Sequence, residues 1–319
     1  MTSFTSNRRI FTGGFVSMAA LAWSAKSIAQ SQSRVDNEFA RLVRDWISGS
    51  LRLSPVSSTQ IGEHRFDALL DDMSAEGRMR NRGFIFSIRE KLDRIDKQKL
   101  SRDNQVDFAI LMNALIGQIW TMDASEDWAW NPLSYQSVAG GAIYNLMARE
   151  FAPIKSRLAN ATSRMEKIPT LLRQARENLD PPSVPAPHAE TYSAQNKGLK
   201  SIIDEMITPH KHHLRGARLA RLNAAIAIYN AAVDEHQVWI DTVLVPAAKA
   251  DFRVGAEKFD QQLGFTLVSD LSRQEIRARA NAAIIRVRGR MYEIAARVLA
   301  NTENTLVLPQ NPSAEQQQI

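Results

Sequence analysis

Cysteine is absent from all 319 residues of the chain. This absence excludes disulfide bonds, a thiolate nucleophile and thiolate metal ligands, so stability must come from packing. It also predicts that no lipid is attached through a cysteine. The sequence has no Gly-rich phosphate loop and no nucleophile elbow, which argues against nucleotide chemistry and serine-hydrolase chemistry.

A second absence concerns histidine and zinc. None of the six histidines is followed by glutamate, so the His-Glu pair on which many zinc hydrolases depend is missing. The six are His64, His188, His210, His212, His213 and His236. We therefore assign no catalytic, cofactor-binding or metal-binding residue from the sequence, and we expect no cofactor.

Residues 1–29 have the layout of an export signal. Arg8 and Arg9 precede a short apolar stretch, and small residues lead to a cleavage position between Ala29 and Gln30. The stretch is shorter than the roughly 20 apolar residues that cross a bilayer, and the paired arginines resemble a twin-arginine signal. The sequence predicts a periplasmic or secreted protein with no integral membrane segment after signal removal.

The charge of the chain does not favour a nucleic-acid partner. The formal net charge is +6, but Arg8, Arg9 and Lys26 belong to the predicted signal. Beyond residue 29 there are 37 basic and 34 acidic residues, which leaves +3, and charges of both signs are interspersed. We expect no nucleic-acid binding.

Hydrophobic spacing predicts helices nearly everywhere, because apolar residues recur in steps of three and four. Asn-Gly and Asp-Gly hairpin turns are absent. We predict an all-α fold, a multi-helix array of long amphipathic helices. The stripe of one long helix, ended by Pro246, is Leu219, Leu222, Ile226, Tyr229, Val233, His236, Ile240 and Val243. A last helix opens at a Ser272–Glu275 capping box, and its stripe is Ile276, Ala280, Ile284, Val287, Met291, Ile294 and Val298.

We predict one helical domain over residues 30–307. The segment 180–188 contains four prolines, which argue against a helix and for an extended loop. This loop is a possible junction between two subdomains. Residues 308–319, with two prolines and a glutamine run, predict a disordered tail.

An aromatic segment is the best candidate for a ligand groove. Trp128, Trp130 and Tyr135 lie close together in a predicted loop. Large amphipathic rings in a loop either line a groove for a peptide or cover the edge of a core, and both interpretations stay open.

The histidines give weaker candidates. His210, His212 and His213 are the most obvious metal cluster, but Lys211 beside them opposes a cation, so we favour a solvated basic segment. His236 falls on an apolar stripe and is predicted to be a core histidine. His64 lies in an irregular stretch with no partner that the sequence identifies.

Several short signatures, in this order, resemble the bacterial family catalogued as domain of unknown function 885 (DUF885). They are Asn131-Pro132-x-x-Tyr135, Arg149 with Phe151, Arg157 through Arg164, Ile168-Pro169-x-Leu171-Leu172, Ala175, Asn178 and Leu179 before Pro181-Pro182, and Arg253-x-Gly255-x-x-x-Phe259-x-x-x-Leu263. The resemblance covers most of the chain after residue 29.

The resemblance implies an all-helical, zincin-like metallopeptidase architecture, in which a His-Glu-x-x-Pro-Gly-His segment of the C-terminal half binds zinc. The chain has no such segment, since no histidine follows His236. It therefore resembles the helical N-terminal half only, and we expect no catalysis by this half alone. Its partner would be a complementary C-terminal catalytic polypeptide or another copy of the chain. The alternatives are a stand-alone periplasmic module that binds a peptide or protein and, less favoured, an enzyme with an unrelated metal site at the histidine cluster.

Overall fold

The computed structural model describes residues 33–300 of the chain. The predicted export signal, with its cleavage position at Ala29 and Gln30, lies outside this range, and so does the predicted tail, 308–319. Regular structure within the range is helical, apart from one isolated β-bridge between Pro185 and Ala250. The all-α prediction is confirmed.

The chain divides into two compact units, the first ending at Val254 and the second beginning at Gly255. The helices of the first unit are α1 (Arg34–Leu53), α2 (Pro55–Gln60), α3 (Ala75–Asp93), α4 (Arg102–Trp120), α5 (Asp127–Trp130), α6 (Pro132–Met147), α7 (Ile154–Met165), α8 (Ile168–Asn178), α9 (Ala186–Lys197), α10 (Leu199–Ile202), α11 (Gly216–Trp239) and α12 (Val245–Ala247). The second unit contains α13 (Ala256–Leu267) and α14 (Arg273–Ala300). None of these helices has the length and apolar character needed to cross a membrane.

Serine caps fix the start of the three helices that form one end of the first unit. The side chains of Ser33, Ser74 and Ser101 each accept the backbone N–H three residues further on, at the beginnings of α1, α3 and α4. Their apolar faces then enclose a core of Phe39, Leu42, Trp46, Ile85, Ile88, Leu92, Ile95, Leu100, Phe108, Leu111 and Leu115. Sequence-local capping thus places the helix starts, and burial holds the three helices together.

The larger core of the first unit is formed by α6, α7, α8 and α11. Its fully buried members include Ile143, Leu158, Leu172, Leu222 and Tyr229. A smaller cluster, around Tyr192 and Ile240, joins α9 to the end of α11.

Within residues 33–300, three π-helical segments continue neighbouring helices: Thr121–Ser125 after α4, Ile203–Ile207 after α10 and Ile240–Leu244 after α11. A π turn inserts one residue into the helical repeat and rotates the following side chains. Ile240 is buried as predicted, but Val243 is 44% exposed and Leu244 takes the buried position instead. The prediction for Val243 is wrong because the repeat changes at this turn.

The prediction that prolines exclude a helix across 180–188 is also wrong in its second half. Pro181–Ser183 forms a single 3₁₀ turn, but α9 begins at Ala186 and includes Pro187. Proline is compatible with the first turn of a helix, because that N–H has no partner within the helix. Val184 and Ala189 are buried in the small cluster, so the segment packs within the first unit.

In the second unit, the predicted capping box is confirmed. The Glu275 carboxylate accepts the Ser272 N–H at 3.0 Å, and the Ser272 hydroxyl accepts the Glu275 N–H at 3.2 Å. From this cap, α14 runs for 28 residues. Its apolar stripe is largely exposed to solvent.

Candidate functional site

The aromatic segment folds into the short helix α5 and the start of α6. The Asn131 side chain accepts the N–H of Leu133 at 3.2 Å and caps α6, while Pro132 occupies its first turn. The indole of Trp130 donates to the Ser125 carbonyl at 2.8 Å. Local hydrogen bonds therefore hold the segment in one conformation.

Tyr135 does not line a groove. Its ring is 0% exposed, and its hydroxyl donates to the Trp128 carbonyl at 2.7 Å. Burial raises the pKa of Tyr135 to about 12, so the hydroxyl stays neutral. Tyr135 positions the backbone of Trp128 from inside the core and has no surface that a ligand would contact.

The two tryptophans remain half-buried and differ in their contacts. The Arg78 guanidinium lies over the Trp128 ring, 4.1 Å from its centroid, and also donates to Asn178 Oδ1 at 2.7 Å. Trp130 stacks on His188 with ring centroids 5.9 Å apart. Burial lowers the pKa of His188, which favours a neutral ring in this stack. The two indole rings thus pack against neighbouring helices, and a ligand would contact only their exposed edges.

A buried polar network is formed around Arg164, and its contacts were not predicted from the sequence. The Arg164 side chain is 0% exposed and donates to the carbonyls of Leu69, Ala142 and Pro55 and to the hydroxyl of Thr59 at 2.7–3.0 Å. Burial lowers the pKa of Arg164 to about 10, which still leaves it charged at neutral pH. The network ties α2 and α6 to α7.

His64 borders the same network. Its Nδ1 lies 3.1 Å from Asp67, whose carboxylate also accepts the Thr59 hydroxyl at 2.6 Å. Its ring stacks on Phe151 with centroids 3.6 Å apart and planes inclined by 8°. A histidine oriented by a buried carboxylate is an arrangement also found in acid–base sites, but here both partners also serve packing.

The His210–His213 segment forms a 3₁₀ turn, not an α-helix. The rings of His212 and His213 lie 4.0 Å apart, and the His212 Nδ1 is bonded to the Pro209 carbonyl at 2.9 Å. Partial desolvation lowers the pKa of His213, and the charges of the two neighbouring histidines act in the same direction. The lowered pKa favours a neutral ring, which is the form of histidine that binds a metal ion, but these histidines are not arranged to hold one.

The zinc implied by the resemblance to DUF885 does not fit the residues that the structure describes. Within residues 33–300, no group of three or more histidine, aspartate or glutamate side chains is arranged to hold a metal ion. His236, the other histidine of interest, is a core residue as predicted: it is 0% exposed and bonded to Tyr192. Glu235 points away from it and pairs with Arg176.

An open cavity of about 310 Å³ lies between α7 and α11, next to the histidine turn. Its lining is Lys155, Ser156, Ala159, Thr162, Leu214, Arg218 and Arg221. Arg221 is neutralised by a two-bond pair with Glu166 at 2.6–2.7 Å. Lys155 and Arg218 contribute two further positive charges, so the cavity suits an anionic group such as a carboxylate.

Comparisons with known proteins identify a family and a similar solved structure. Residues 55–315 match a family described as "Bacterial protein of unknown function (DUF885)". No curated protein matches the chain. A solved structure from Shewanella oneidensis, described as "a putative lipoprotein of unknown function", is similar, with a TM-score of 0.71 and 26% sequence identity.

The lengths of the two chains differ. The similarity covers 86% of this chain and 50% of the Shewanella oneidensis chain. The chain therefore spans about half the length of the solved structure that it matches.

Proposed function

Because the chain belongs to the DUF885 family of bacterial proteins of unknown function, we propose that it is the helical half of a two-part exported protein. Peptide hydrolysis with zinc, which the resemblance implies, would require the other half. The observation that carries this proposal is the length comparison: most of this chain aligns with only half of a solved relative.

Two further features support the proposal. The relative is described as "a putative lipoprotein", which fits an envelope or exported location, and residues 1–29 have the pattern of a signal peptide. His64 and His236 make packing contacts, and within residues 33–300 no group of three or more possible ligands is arranged to hold a metal ion, so zinc ligands would have to be supplied elsewhere.

The test combines zinc analysis with a peptidase assay. The coding sequence beyond the codon for Ile319 is determined, and any segment with a His-Glu-x-x-Pro-Gly-His motif that it encodes is produced as a separate polypeptide. The chain alone is expected to bind no stoichiometric zinc and to cleave no peptide in a mixed-sequence pool. When the two polypeptides are combined, stoichiometric zinc binding and peptide cleavage are both expected.

Other results would contradict the proposal. About one tightly held zinc per chain, with cleavage that is lost in His213→Ala, would establish an independent metal enzyme at the histidine turn. If the combined polypeptides neither associate nor hydrolyse peptides, the two-part proposal fails.

The basic cavity favours a second candidate function, a stand-alone peptide-binding module. Lys155 and Arg218 would bind a peptide C-terminal carboxylate, since cationic donors form their strongest hydrogen bonds with a charged oxygen acceptor. The probe is a fluorescent peptide with a free C-terminus, and the matched control is the same peptide with a C-terminal amide.

Binding of the free-acid peptide at least tenfold more tightly than the amide would support a peptide-binding function, provided that Arg218→Gln abolishes this preference. Arg173→Gln is the control variant, because Arg173 is a 58% exposed arginine on α8 that pairs with Glu177. Equal affinity for acid and amide would exclude a carboxylate site in this cavity.

A further inference from the structure

Much of the apolar stripe of α14 is exposed to solvent. Ile284, Val287, Met291, Ile294 and Val298 are 48–64% exposed. These residues follow Ala280 in steps of four, three, four, three and four. We call the six residues the α14 stripe.

This spacing is that of a coiled-coil seam. Apolar residues alternating at three and four positions occupy the a and d sites of a heptad, which form a narrow seam that fits the seam of another helix. Helices that lie on a lipid surface usually have a broader apolar face. On α14 three of the six e and g sites that flank the stripe are arginines, Arg288, Arg290 and Arg297, and the other three are Asn281, Ala283 and Ala295.

The charge of α14 identifies the kind of partner. The helix contains seven arginines and two glutamates, a net charge of +5, and neither glutamate occupies an e or g site. Residues at e and g sites select the partner through charge. A second copy of α14 would bring two such helices together, and like charges would oppose the pairing.

We propose that the α14 stripe docks an acidic amphipathic helix, whose apolar a and d residues cover the stripe and whose carboxylates face Arg288, Arg290 and Arg297. The occupant is a helix of the complementary half of the protein. This inference rests on the proposed two-part function, and it adds the surface and the chemistry by which the halves recognise each other.

The experiment uses the full chain and two designed helical peptides. Both peptides have isoleucine at a and leucine at d, which favours pairing of two helices, but one peptide has glutamate at e and g and the other has lysine. Fluorescence anisotropy measures binding at low and at high salt. The glutamate peptide is expected to bind at least tenfold more tightly, with an advantage that shrinks in salt.

The chain offers a matched pair of variants at adjacent isoleucines. Ile284 is at an a site of the stripe, whereas Ile285 lies outside it and is 74% exposed. Ile284→Gln is expected to weaken binding of the glutamate peptide at least tenfold, and Ile285→Gln less than twofold. Circular dichroism verifies that both variants keep their helical content.

Several results would overturn the inference. They are equal affinity for the two peptides, equal effects of the two variants, self-association of the chain that Ile284→Gln abolishes, or binding to phosphatidylglycerol vesicles that competes with the glutamate peptide. If the complementary polypeptide restores hydrolysis while Ile284→Gln assembles normally, the two-part proposal stands and the role of α14 is refuted. If the glutamate peptide binds as expected but no hydrolysis can be restored, docking stands and the peptidase proposal fails.

Discussion

The buried histidine of α11 predicts a specific loss of stability in mild acid. His236 is 0% exposed, bonded through Nε2 to the Tyr192 hydroxyl at 2.6 Å and stacked on Trp239 with ring centroids 5.4 Å apart. Burial, and secondarily the charge of Arg176, lower its pKa from 6.5 to about 3. The folded protein therefore keeps this ring neutral at pH values where an unfolded chain protonates it.

The sign and size of the effect follow from that difference. Below pH 6.5 the unfolded state gains a proton at His236 that the folded state does not, so the free energy of unfolding falls as the pH falls towards 3. The loss is about 1.4 kcal/mol per pH unit. Between pH 6.5 and pH 5 it amounts to roughly 2 kcal/mol.

The substitution His236→Gln removes the titrating group and keeps a side chain that can bond to Tyr192. Urea unfolding at pH 7 and pH 5 gives the free energy of unfolding of both proteins, with the m-value as a check on the denatured state. The variant is expected to be less stable at pH 7, but to lose about 2 kcal/mol less than the unchanged protein on going to pH 5.

Titration of Asp71 in the same pH range changes the free energy of unfolding in the opposite direction. Burial raises its pKa to about 6, so the folded state binds this proton first and gains stability between pH 6 and pH 4. Because Asp71 is present in both proteins, its contribution cancels in the comparison. The same pH dependence in His236→Gln and in the unchanged protein would refute the reasoning about His236.

Two further predictions concern packing, and denaturant unfolding measures both. A Cβ at Gly77 would overlap the Asp72 carbonyl, whereas nothing lies within 4 Å of a Cβ at Gly83. Gly77→Ala should therefore lower the free energy of unfolding by about 1–3 kcal/mol. Gly83→Ala should raise it by up to about 1 kcal/mol. If Gly77→Ala also stabilises the protein, the close approach is not rigid. Arg164→Met should cost about 3–5 kcal/mol, because it leaves buried acceptors without donors. Arg173→Met, on the surface, should change stability by less than about 0.5 kcal/mol, and equal effects of the two arginine variants would contradict the account of the network.

The helices were predictable wherever apolar spacing alone decides the structure. Tyr229, Val233 and His236 are buried as their steps of three and four require, and the Ser272 cap forms as its sequence signature predicts. Val243 was wrongly predicted to be buried because the spacing of apolar residues does not reveal where a π turn shifts the helical repeat.

The candidate site was predictable only in part. Trp128 and Trp130 lie together, as their proximity in sequence required, but the burial of Tyr135 depends on α8 and α9, which are distant in sequence. The burial of Arg164 could not be predicted from the sequence for a related reason. A charged residue in a helix normally indicates a solvated face, and its acceptors at Pro55, Leu69 and Ala142 are 22–109 residues away.

The Arg164 network also has a consequence for the order of assembly. A guanidinium cannot leave water at low cost until acceptors replace its hydration, and here those acceptors belong to three separate parts of the chain. The segment 55–69 must therefore meet α6 and α7 before this part of the core can dry. Contacts of such sequence separation form slowly, so water is expected to leave this part of the core late in folding.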